Sequence, residues 1–196
     1  LIFQSIKQVN SDSYDGRNLL YLIENGIASL NLHTNLDCCP GGVNDVLASR
    51  LGLANVEILN PVGTDAKGRP YGLVRMGEVA EQPLAAFAAF VKRVLSCPGV
   101  RFSDAGKPVR KVAVGGGSCG SEIGDVIAAG CDTFVTADLK YNHFEEAKYR
   151  GLNLIDAGHF ETENPICGVL EGILREAFPE IPVFRARAHR DETQFL

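Results

Sequence analysis

Residues 111–130 read KVAVGGGSCGSEIGDVIAAG, and this stretch decides the fold class. A short apolar strand leads through a glycine-rich turn into a segment whose apolar side chains recur at helical spacing. The same order of strand, polar turn and helix is repeated at residues 132–151 and 152–178. Strands separated by helices of this length are joined by crossover connections, which make neighbouring strands parallel. The sequence therefore predicts an α/β fold with mixed, largely parallel sheets and flanking helices.

The part of the chain before residue 111 alternates less regularly. Three segments have apolar residues at helical spacing and end at glycine or proline-glycine; they are residues 14–27, 43–53 and 83–96. Residues 27–33 predict a short strand, and residues 34–42 a turn-rich loop. Residues 55–77 predict a β-hairpin with a long loop. A last strand is expected at residues 183–187.

The composition limits the classes of function. The chain has 196 residues, 45% of them hydrophobic, and a net charge of −5 that argues against binding to nucleic-acid phosphates. No apolar run approaches the length of a membrane span. The six cysteines form no C-x-x-C pair, which argues against a zinc–thiolate site and favours reduced thiols in the cytoplasm.

Polar residues cluster directly after four predicted strands. The clusters are HTNLD at residues 33–37, GGGSCG at 115–120, ADLKYNH at 137–143 and AGHFETE at 157–163. In open parallel sheets, binding sites form beyond the carboxyl ends of the strands, where such loops gather. We therefore expect the four clusters to meet at one edge of the sheet.

His159 and Glu163 are the first candidates for metal ligands. They are four residues apart, so a helix that begins after Gly158 would place both side chains on one face, with Cβ atoms about 5–6 Å apart. An imidazole and a carboxylate so placed can bind one divalent cation, or two cations bridged by a water. In the alternative interpretation, Glu163 is a carboxylate favoured by the helix dipole and His159 is an ordinary loop histidine.

The cluster at residues 33–37 supplies further candidates. Asp37 is a candidate oxygen ligand, and His33 is a candidate ligand or a hydrogen-bond partner of one. The alternative is a cluster that only caps and turns the loop, since Asn and Asp are frequent in turns. Zinc, manganese, iron and nickel all accept such ligands, so the pattern does not name the metal.

The glycine-rich turn has three open interpretations. Gly115, Gly117 and Gly120 form a G-x-G-x-x-G pattern between a strand and a helix, and Asp138 ends the next strand, where a dinucleotide-binding fold has its ribose-binding acid. The turn could be a plain glycine-rich connection, an anion site made of backbone amides, or a dinucleotide-binding turn. Few strand–helix units follow, which leaves little room for both halves of a dinucleotide.

Asp138 and His143 are candidates for a general acid or base at a metal-bound water. Equally, His143 could cap or hydrogen-bond the start of its own helix. Cys119 stands near a helix N-terminus, which favours a thiolate. No paired base accompanies it, so we interpret Cys119 as a small filling residue.

Four blocks of the sequence resemble the Nif-three-like dinuclear-metal proteins, a family often named GTP cyclohydrolase I type 2. The blocks are HTNLDCCPGGVNDVLASRLGL, VAVGGGSCGSEI, TADLKYNHFEEA and LIDAGHFETE, in that order. The resemblance runs along the whole chain and implies one compact unit of two similar α/β halves, the first of them shortened. These halves would be residues 1–100 and 101–196. The resemblance also implies a homohexameric ring with metal sites that face an internal cavity.

The resemblance further implies roles for individual residues. Asp37, His159 and Glu163 would bind two divalent metal ions, with Asp37 shared between them, and His33 would line the same site. Asp138 and His143 belong to the block near the cavity and are the expected catalytic residues.

The sequence begins at Leu1 without an initiator methionine, and its first three residues are typical of the end of an apolar element. The family supplies two more histidine ligands from an H-H-P stretch just before this point, so we expect the C-terminal portion of a longer protein. The expected function is hydrolysis of a nucleotide-like small molecule. The alternative is a non-enzymatic metal-binding oligomer that serves as a regulator or scaffold. Neither of these two expected functions involves a membrane, and a nucleic-acid partner is not expected.

Overall fold

The computed structural model describes residues 6–196, and the chain divides into two compact units between Leu36 and Asp37. The residues expected to end an apolar element, Leu1 to Phe3, lie outside the described residues. In the first unit, helix α1 (Tyr14–Glu24) confirms the first predicted helix. It begins where the Ser13 hydroxyl accepts a hydrogen bond of 3.0 Å from the Gly16 amide.

Two predictions for the segment after α1 are wrong. Residues 27–33 form no strand, and the loop predicted at residues 34–42 contains a short helix, α2 (Thr34–Cys38). A strand needs a neighbour to satisfy its backbone amides and carbonyls, and no strand within residues 6–196 pairs with this segment. Leu30 is 86% exposed, so the apolar pattern has no buried face that would stabilise an extended chain.

The second unit is built on a six-stranded sheet with a small two-stranded sheet beside it. The strands of the second unit are β1 (Ala54–Leu59), β2 (Gly63–Thr64), β3 (Pro70–Tyr71), β4 (Val74–Gln82), β5 (Arg101–Ser103), β6 (Val109–Val114), β7 (Thr133–Thr136) and β8 (Asn153–Asp156). The large sheet has the order β1-β4-β6-β7-β8-β5, and β2 pairs with β3. The antiparallel pair β1–β4 confirms the predicted hairpin.

The α/β class with a mixed sheet is confirmed. The pairs β6–β7 and β7–β8 are parallel, whereas β1–β4, β4–β6 and β5–β8 are antiparallel. The parallel part is therefore confined to the three strands that alternate with helices in the sequence, as crossover connections require.

Helices confirm the remaining periodic segments. They are α3 (Val43–Arg50), α4 (Leu84–Leu95), α5 (Ile123–Ala128), α6 (Tyr141–Tyr149), α7 (His159–Glu163) and α8 (Ile166–Ala177), with a 3₁₀ turn at Gly120–Glu122. The strand predicted at residues 183–187 is absent. The edge of β8 is already paired with β5, and Phe184 is 81% exposed, so this segment has neither a ladder nor a buried face.

Side chains alternate along the central strands and enter two cores. Val112 and Val114 point to the face covered by α3 and α4, where Phe87 is fully buried. Ala113 points to the opposite face, where Val126 of α5 is fully buried. Because helices cover both faces, the strands are apolar almost throughout, which is the pattern that predicted the parallel part.

The predicted boundary between residues 100 and 101 falls inside the large sheet, since β4 and β6 pair across it. The division into two similar halves stays a prediction. No helix within residues 6–196 is long and apolar enough to cross a membrane.

Candidate metal centre

Three loops meet at the edge of the sheet where β6, β7 and β8 end. They are residues 115–120, 137–140 and 157–158. Hydrogen bonds of 2.9 Å connect them, from the Ala137 amide to the Gly117 carbonyl and from the Ala157 amide to the Thr136 carbonyl. The convergence predicted for these three clusters is confirmed.

His159 lies between two carboxylates at this edge. It is the first residue of α7, and its Nδ1 forms a hydrogen bond of 2.7 Å with Asp138 Oδ2. Its Nε2 lies 3.1 Å from Oε1 of Glu163, one helical turn further along α7. The side chains of His159, Asp138 and Glu163 are 49, 52 and 38% exposed, so a solute can reach them.

The two carboxylates raise the pKa of His159 to about 9. The hydrogen bond with Glu163 is the largest cause, burial opposes it, and the hydrogen bond with Asp138 adds to it. The metal-free ring therefore carries protons on both nitrogens at neutral pH. A metal ion at Nε2 would replace one of these protons.

A buried carboxylate fixes the loops that carry Asp138 and His159. Asp156, at the end of β8, accepts hydrogen bonds from the Leu139 amide at 3.1 Å and from the Gly158 amide at 3.2 Å. Asp138 itself has a φ of +54°, in the left-handed region that Asp tolerates better than most residues. Its side chain reaches His159 from this backbone conformation.

Gly117 leaves the space that the His159–Glu163 pair occupies. Its φ is +64°, and a Cβ at this position would lie 2.4 Å from Glu163 Oε1 and 3.0 Å from His159 Nε2. Both distances are shorter than van der Waals contact. Any larger residue must therefore displace the Glu163 carboxylate.

We expect Gly117→Ala to separate Glu163 from His159 and to lower the pKa of His159 from about 9 towards its ordinary value. Gly130→Ala is the matched control, because Gly130 has a φ of +74° but a Cβ there meets nothing within 4 Å. Both variants should lose about 1–2 kcal/mol of the free energy of unfolding through backbone strain. An NMR titration of His159 in metal-free protein that is identical in wild type and Gly117→Ala would contradict this geometry.

The amides of the glycine-rich loop are already bound by protein side chains. Three of them donate to side-chain oxygens, at 2.6, 2.9 and 3.2 Å: Gly116 to Asn44, Gly117 to Thr162 and Cys119 to Thr136. An anion or a pyrophosphate would need these amides for itself. These contacts favour the interpretation of residues 115–120 as a plain glycine-rich connection, and the anion-site and dinucleotide-binding interpretations stay predictions.

Asp37 lies beside the same loop. Its backbone carbonyl accepts a hydrogen bond of 3.2 Å from Asn44 Nδ2, and the amide oxygen of Asn44 accepts from Gly116. Burial, helped by the carboxylates of Glu122, Asp37 and Glu163, raises the pKa of the Cys119 thiol to about 12. Asp37 and Glu163 thus approach the loop from different elements, and Cys119 is the inert buried residue that its sequence context indicated.

Arg75 fixes the segment that follows Asp37. Its side chain is 1% exposed and pairs with Asp45 near the start of α3. It also donates hydrogen bonds to the carbonyls of Cys38 at 3.2 Å and Gly72 at 2.6 Å. Three such partners hold the buried guanidinium in one orientation. The guanidinium in turn fixes the path of the chain between α2 and α3.

The sequence and the fold both have known counterparts. The profile of the Duf34/NIF3 (NGG1p interacting factor 3) family matches residues 1–192. The chain belongs to the Duf34/NIF3 family.

Two relatives are each named GTP cyclohydrolase 1 type 2 homolog. The protein from Clostridium perfringens is 28% identical over 199 residues, which cover 100% of this chain and 75% of the relative. The protein from Streptomyces coelicolor is 39% identical over 173 residues, which cover 85% of this chain and 60% of the relative. This chain thus spans only part of either protein.

Solved structures show the same fold. The hypothetical protein SA1388 of Staphylococcus aureus has a TM-score of 0.89 at 29% identity, over 100% of this chain and 77% of that chain. A Bacillus cereus protein related to NIF3 has a TM-score of 0.88 at 24% identity, over 100% of this chain and 81% of that chain. The NIF3-like fold that the resemblance implied is confirmed.

Two candidate residues of this NIF3-family chain have local contacts. His33 lies in the first unit, where Nδ1 forms a hydrogen bond of 3.1 Å with Thr34 Oγ1. His143 Nδ1 accepts a hydrogen bond of 3.2 Å from the Lys140 amide at the start of α6, which is the capping arrangement. The metal role of His33 and the catalytic role of His143 stay predictions.

Within residues 6–196, no three His, Cys, Asp or Glu side chains are grouped closely enough to hold one metal ion. The described residues instead bring two metal donors together, His159 and Glu163, with Asp138 hydrogen-bonded to the histidine. The ligand roles of Asp37, His159 and Glu163 therefore stay predictions for this NIF3-family chain.

Four buried polar residues that build the site were not predicted from the sequence: Asn44, Arg75, Asp156 and Thr162. Thr162 shows their role, because its hydroxyl accepts from the Gly117 amide at 2.9 Å and donates to the Gly158 carbonyl at 2.8 Å. A polar group inside an apolar segment signals a hydrogen-bond partner, since burying it unpaired costs about 1–3 kcal/mol. The signal does not say which partner.

Proposed function

We propose that this chain contributes to a dinuclear metal centre in which Asp37, His159 and Glu163 are ligands and His33 binds or lines the site. The observation that carries the proposal is the His159 ring, held at Nδ1 by Asp138 while Nε2 faces Glu163. Histidines that bind metals typically donate their other ring N–H to a carboxylate in this way. Asp138 would be that outer partner.

The donor atoms fit a divalent ion. Imidazole nitrogens and carboxylate oxygens bind zinc at about 2.0–2.2 Å, and Nε2 and Oε1, 3.1 Å apart, are close enough to share one ion. Zinc, manganese, iron and nickel accept both donor types. Two donors fill only part of a coordination shell, and the resemblance adds Asp37 and the two histidines of the family's H-H-P stretch.

The residues of this chain would orient the ligands and move protons. A bound metal pair lowers the pKa of a water and stabilises negative charge on an oxygen atom. With a metal bound, Asp138 would keep the proton on Nδ1 of His159, so that the lone pair of Nε2 would face the metal. The proposed acid or base is Asp138, in the loop after β7, or His143, in the first turn of α6.

This chemistry suits the hydrolysis of a phosphoester or the opening of a purine ring in a nucleotide-like small molecule. The names of the relatives from Clostridium perfringens and Streptomyces coelicolor point to the same class of substrate. We further propose a homohexamer, as the resemblance implies. The proposed compartment is the cytoplasm, because the described cysteines form no disulfide with one another.

Turnover of a nucleotide panel tests this function. We expect protein loaded with Mn²⁺ or Zn²⁺ to convert at least one nucleoside mono- or triphosphate, detected by chromatography of the products. Asp37→Ala should lower kcat by about 100-fold or more, because removing an outer partner alone typically costs about 10- to 100-fold. Asp12→Ala, which removes an exposed carboxylate of the first unit, is the control. Metal binding without turnover of any nucleotide would contradict the proposed enzymatic function and favour a role as a regulator or scaffold.

A further inference from the structure

Asn44, the second residue of α3, is a fully buried polar side chain between the Asp37 segment and the glycine-rich loop. Its Nδ2 donates hydrogen bonds to the Asp37 carbonyl at 3.2 Å and to the Leu73 carbonyl at 2.6 Å. Its Oδ1 accepts a hydrogen bond of 2.6 Å from the Gly116 amide. Both the donor and the acceptor of the side-chain amide are therefore in use, and three separate parts of the chain meet on one side chain.

Gly116 lies directly against the start of α3. A Cβ at Gly116 would be 2.9 Å from Cγ1 of Val43 and 3.4 Å from Oδ1 of Asn44. Val43 is itself buried in the close-packed interior, so it has little space to move aside. The contact holds the loop at a fixed distance from α3, and so from the Asp37 segment that Asn44 binds.

The next residue of the loop, Gly117, lies against the two proposed metal donors of α7. A Cβ there would be 2.4 Å from Oε1 of Glu163 and 3.0 Å from Nε2 of His159. Gly116 and Gly117 share a planar peptide unit, so one stretch of rigid backbone contacts Asn44 on one side and α7 on the other. The position of the Asp37 segment relative to α7 therefore depends on Asn44.

A buried asparagine with three hydrogen bonds can also serve stability alone. Asn153 is fully buried and provides the comparison. Its Nδ2 donates to the Lys107 carbonyl at 2.9 Å and to the Thr133 hydroxyl at 3.3 Å, and its Oδ1 accepts from the Ala105 amide at 3.0 Å. Asn153 begins β8, whereas the proposed site lies beyond the other end of that strand. Asn44 and Asn153 thus make the same number of hydrogen bonds at different distances from the proposed site.

We propose that Asn44 is a positioning residue of the metal centre, which holds Asp37 beside the two donors of α7. Asn44 acts through Asp37 and is not itself a ligand. The inference rests on the proposed function, in which Asp37 binds metal. It has a consequence that a purely structural role lacks. Once Asn44 is removed, Asp37 contributes little to metal binding, so removing both residues costs little more than removing Asn44 alone.

A double-mutant cycle in Zn²⁺ affinity tests the inference on the whole chain. Competition with a chromogenic chelator measures the affinities of wild type, Asn44→Ala, Asp37→Ala and the double variant. We expect Asn44→Ala to weaken zinc binding by about 100-fold, the upper end of the effect of losing an outer partner. Adding Asp37→Ala to Asn44→Ala should then weaken binding by a further factor of only about 2, which is within the error of such cycles.

Asn153→Ala is the matched control. It should lower the urea midpoint of unfolding about as much as Asn44→Ala, because both variants remove three hydrogen bonds from a buried site. It should bind zinc as wild type does, and Asp37→Ala should keep its full effect in this background. Asn44→Asp has the shape of the amide and keeps the acceptor for Gly116, but it loses the donor to Asp37. The cycle with Asn44→Asp should give the same result, and it decides the matter if Asn44→Ala does not fold.

Equal losses on adding Asp37→Ala to wild type and to the Asn44 variants would overturn the inference and leave the metal centre in place. A loss of zinc affinity in Asn153→Ala as large as in Asn44→Ala would do the same. The metal centre itself fails differently. If Asp37→Ala binds zinc as tightly as wild type does, Asp37 is not a ligand, and both proposals are wrong.

Discussion

His159→Ala is expected to lower the affinity of the chain for Zn²⁺ or Mn²⁺ by about 100-fold or more. The imidazole is one of the two donors that the described residues bring together, and the Glu163 carboxylate that remains is 38% exposed to water. Losing a ligand should exceed the roughly 10- to 100-fold effect of losing an outer partner. Because His159 is itself half exposed, its ion pairs with Asp138 and Glu163 contribute at most about 1 kcal/mol to stability. The variant should therefore stay folded.

Two further variants sharpen this prediction. Asp138→Asn keeps both donors but replaces the partner of Nδ1, so its affinity should fall between wild type and His159→Ala. His189→Ala removes an exposed histidine that contacts Cys167 and Phe160, and it should bind metal as wild type does. Competition titrations with a chromogenic chelator measure all four affinities. Equal affinities in wild type and His159→Ala would show that the ion binds elsewhere.

Arg75→Met should cost about 3 kcal/mol of the free energy of unfolding. The substitution keeps the length of the side chain but leaves Asp45 and the carbonyls of Cys38 and Gly72 without their donor. Removing one partner of a buried ion pair typically costs about 3–5 kcal/mol. Asp45 is 32% exposed and regains some hydration, which places the expected value at the lower end.

Arg69→Met is the matched control for this loss. Arg69 pairs with Asp65 four residues earlier, and its side chain is 54% exposed. Exposed ion pairs contribute about 0–1 kcal/mol. Urea unfolding of the two variants compares the two arginines directly. A loss in Arg75→Met no larger than in Arg69→Met would mean that the buried guanidinium does not hold the segment after Asp37.

The parallel part of the fold could be predicted from the sequence. Its strands are buried on both faces and are therefore short apolar runs, and polar turns and segments with helical spacing separate them. The segments at residues 27–33 and 183–187 had similar patterns but pair with no strand of the described residues. A pattern of side chains reports the local preference of the chain. It does not report which strand will lie beside a segment: the edge of β8 is paired with β5 and not with residues 183–187.

The candidate site could also be predicted from the sequence only in part. The spacing of His159 and Glu163 could be used directly, because α7 places residues four apart on one face. The contact between Asp138 and His159 spans 21 positions and depends on the left-handed backbone of Asp138. The glycine pattern left three interpretations open, because the partners of its amides, such as Asn44 and Thr162, lie far away in the sequence.

An anomalous difference map from crystals grown with Zn²⁺ or Mn²⁺ tests the central claim most directly. The proposed metal centre predicts a peak about 2.0–2.2 Å from Nε2 of His159 and from a carboxylate oxygen of Glu163, with Asp138 still bound to Nδ1. A fully occupied metal peak that contacts neither His159 nor Glu163 would contradict it. So would a map without a peak at this edge of the sheet, when the same protein retains metal in solution.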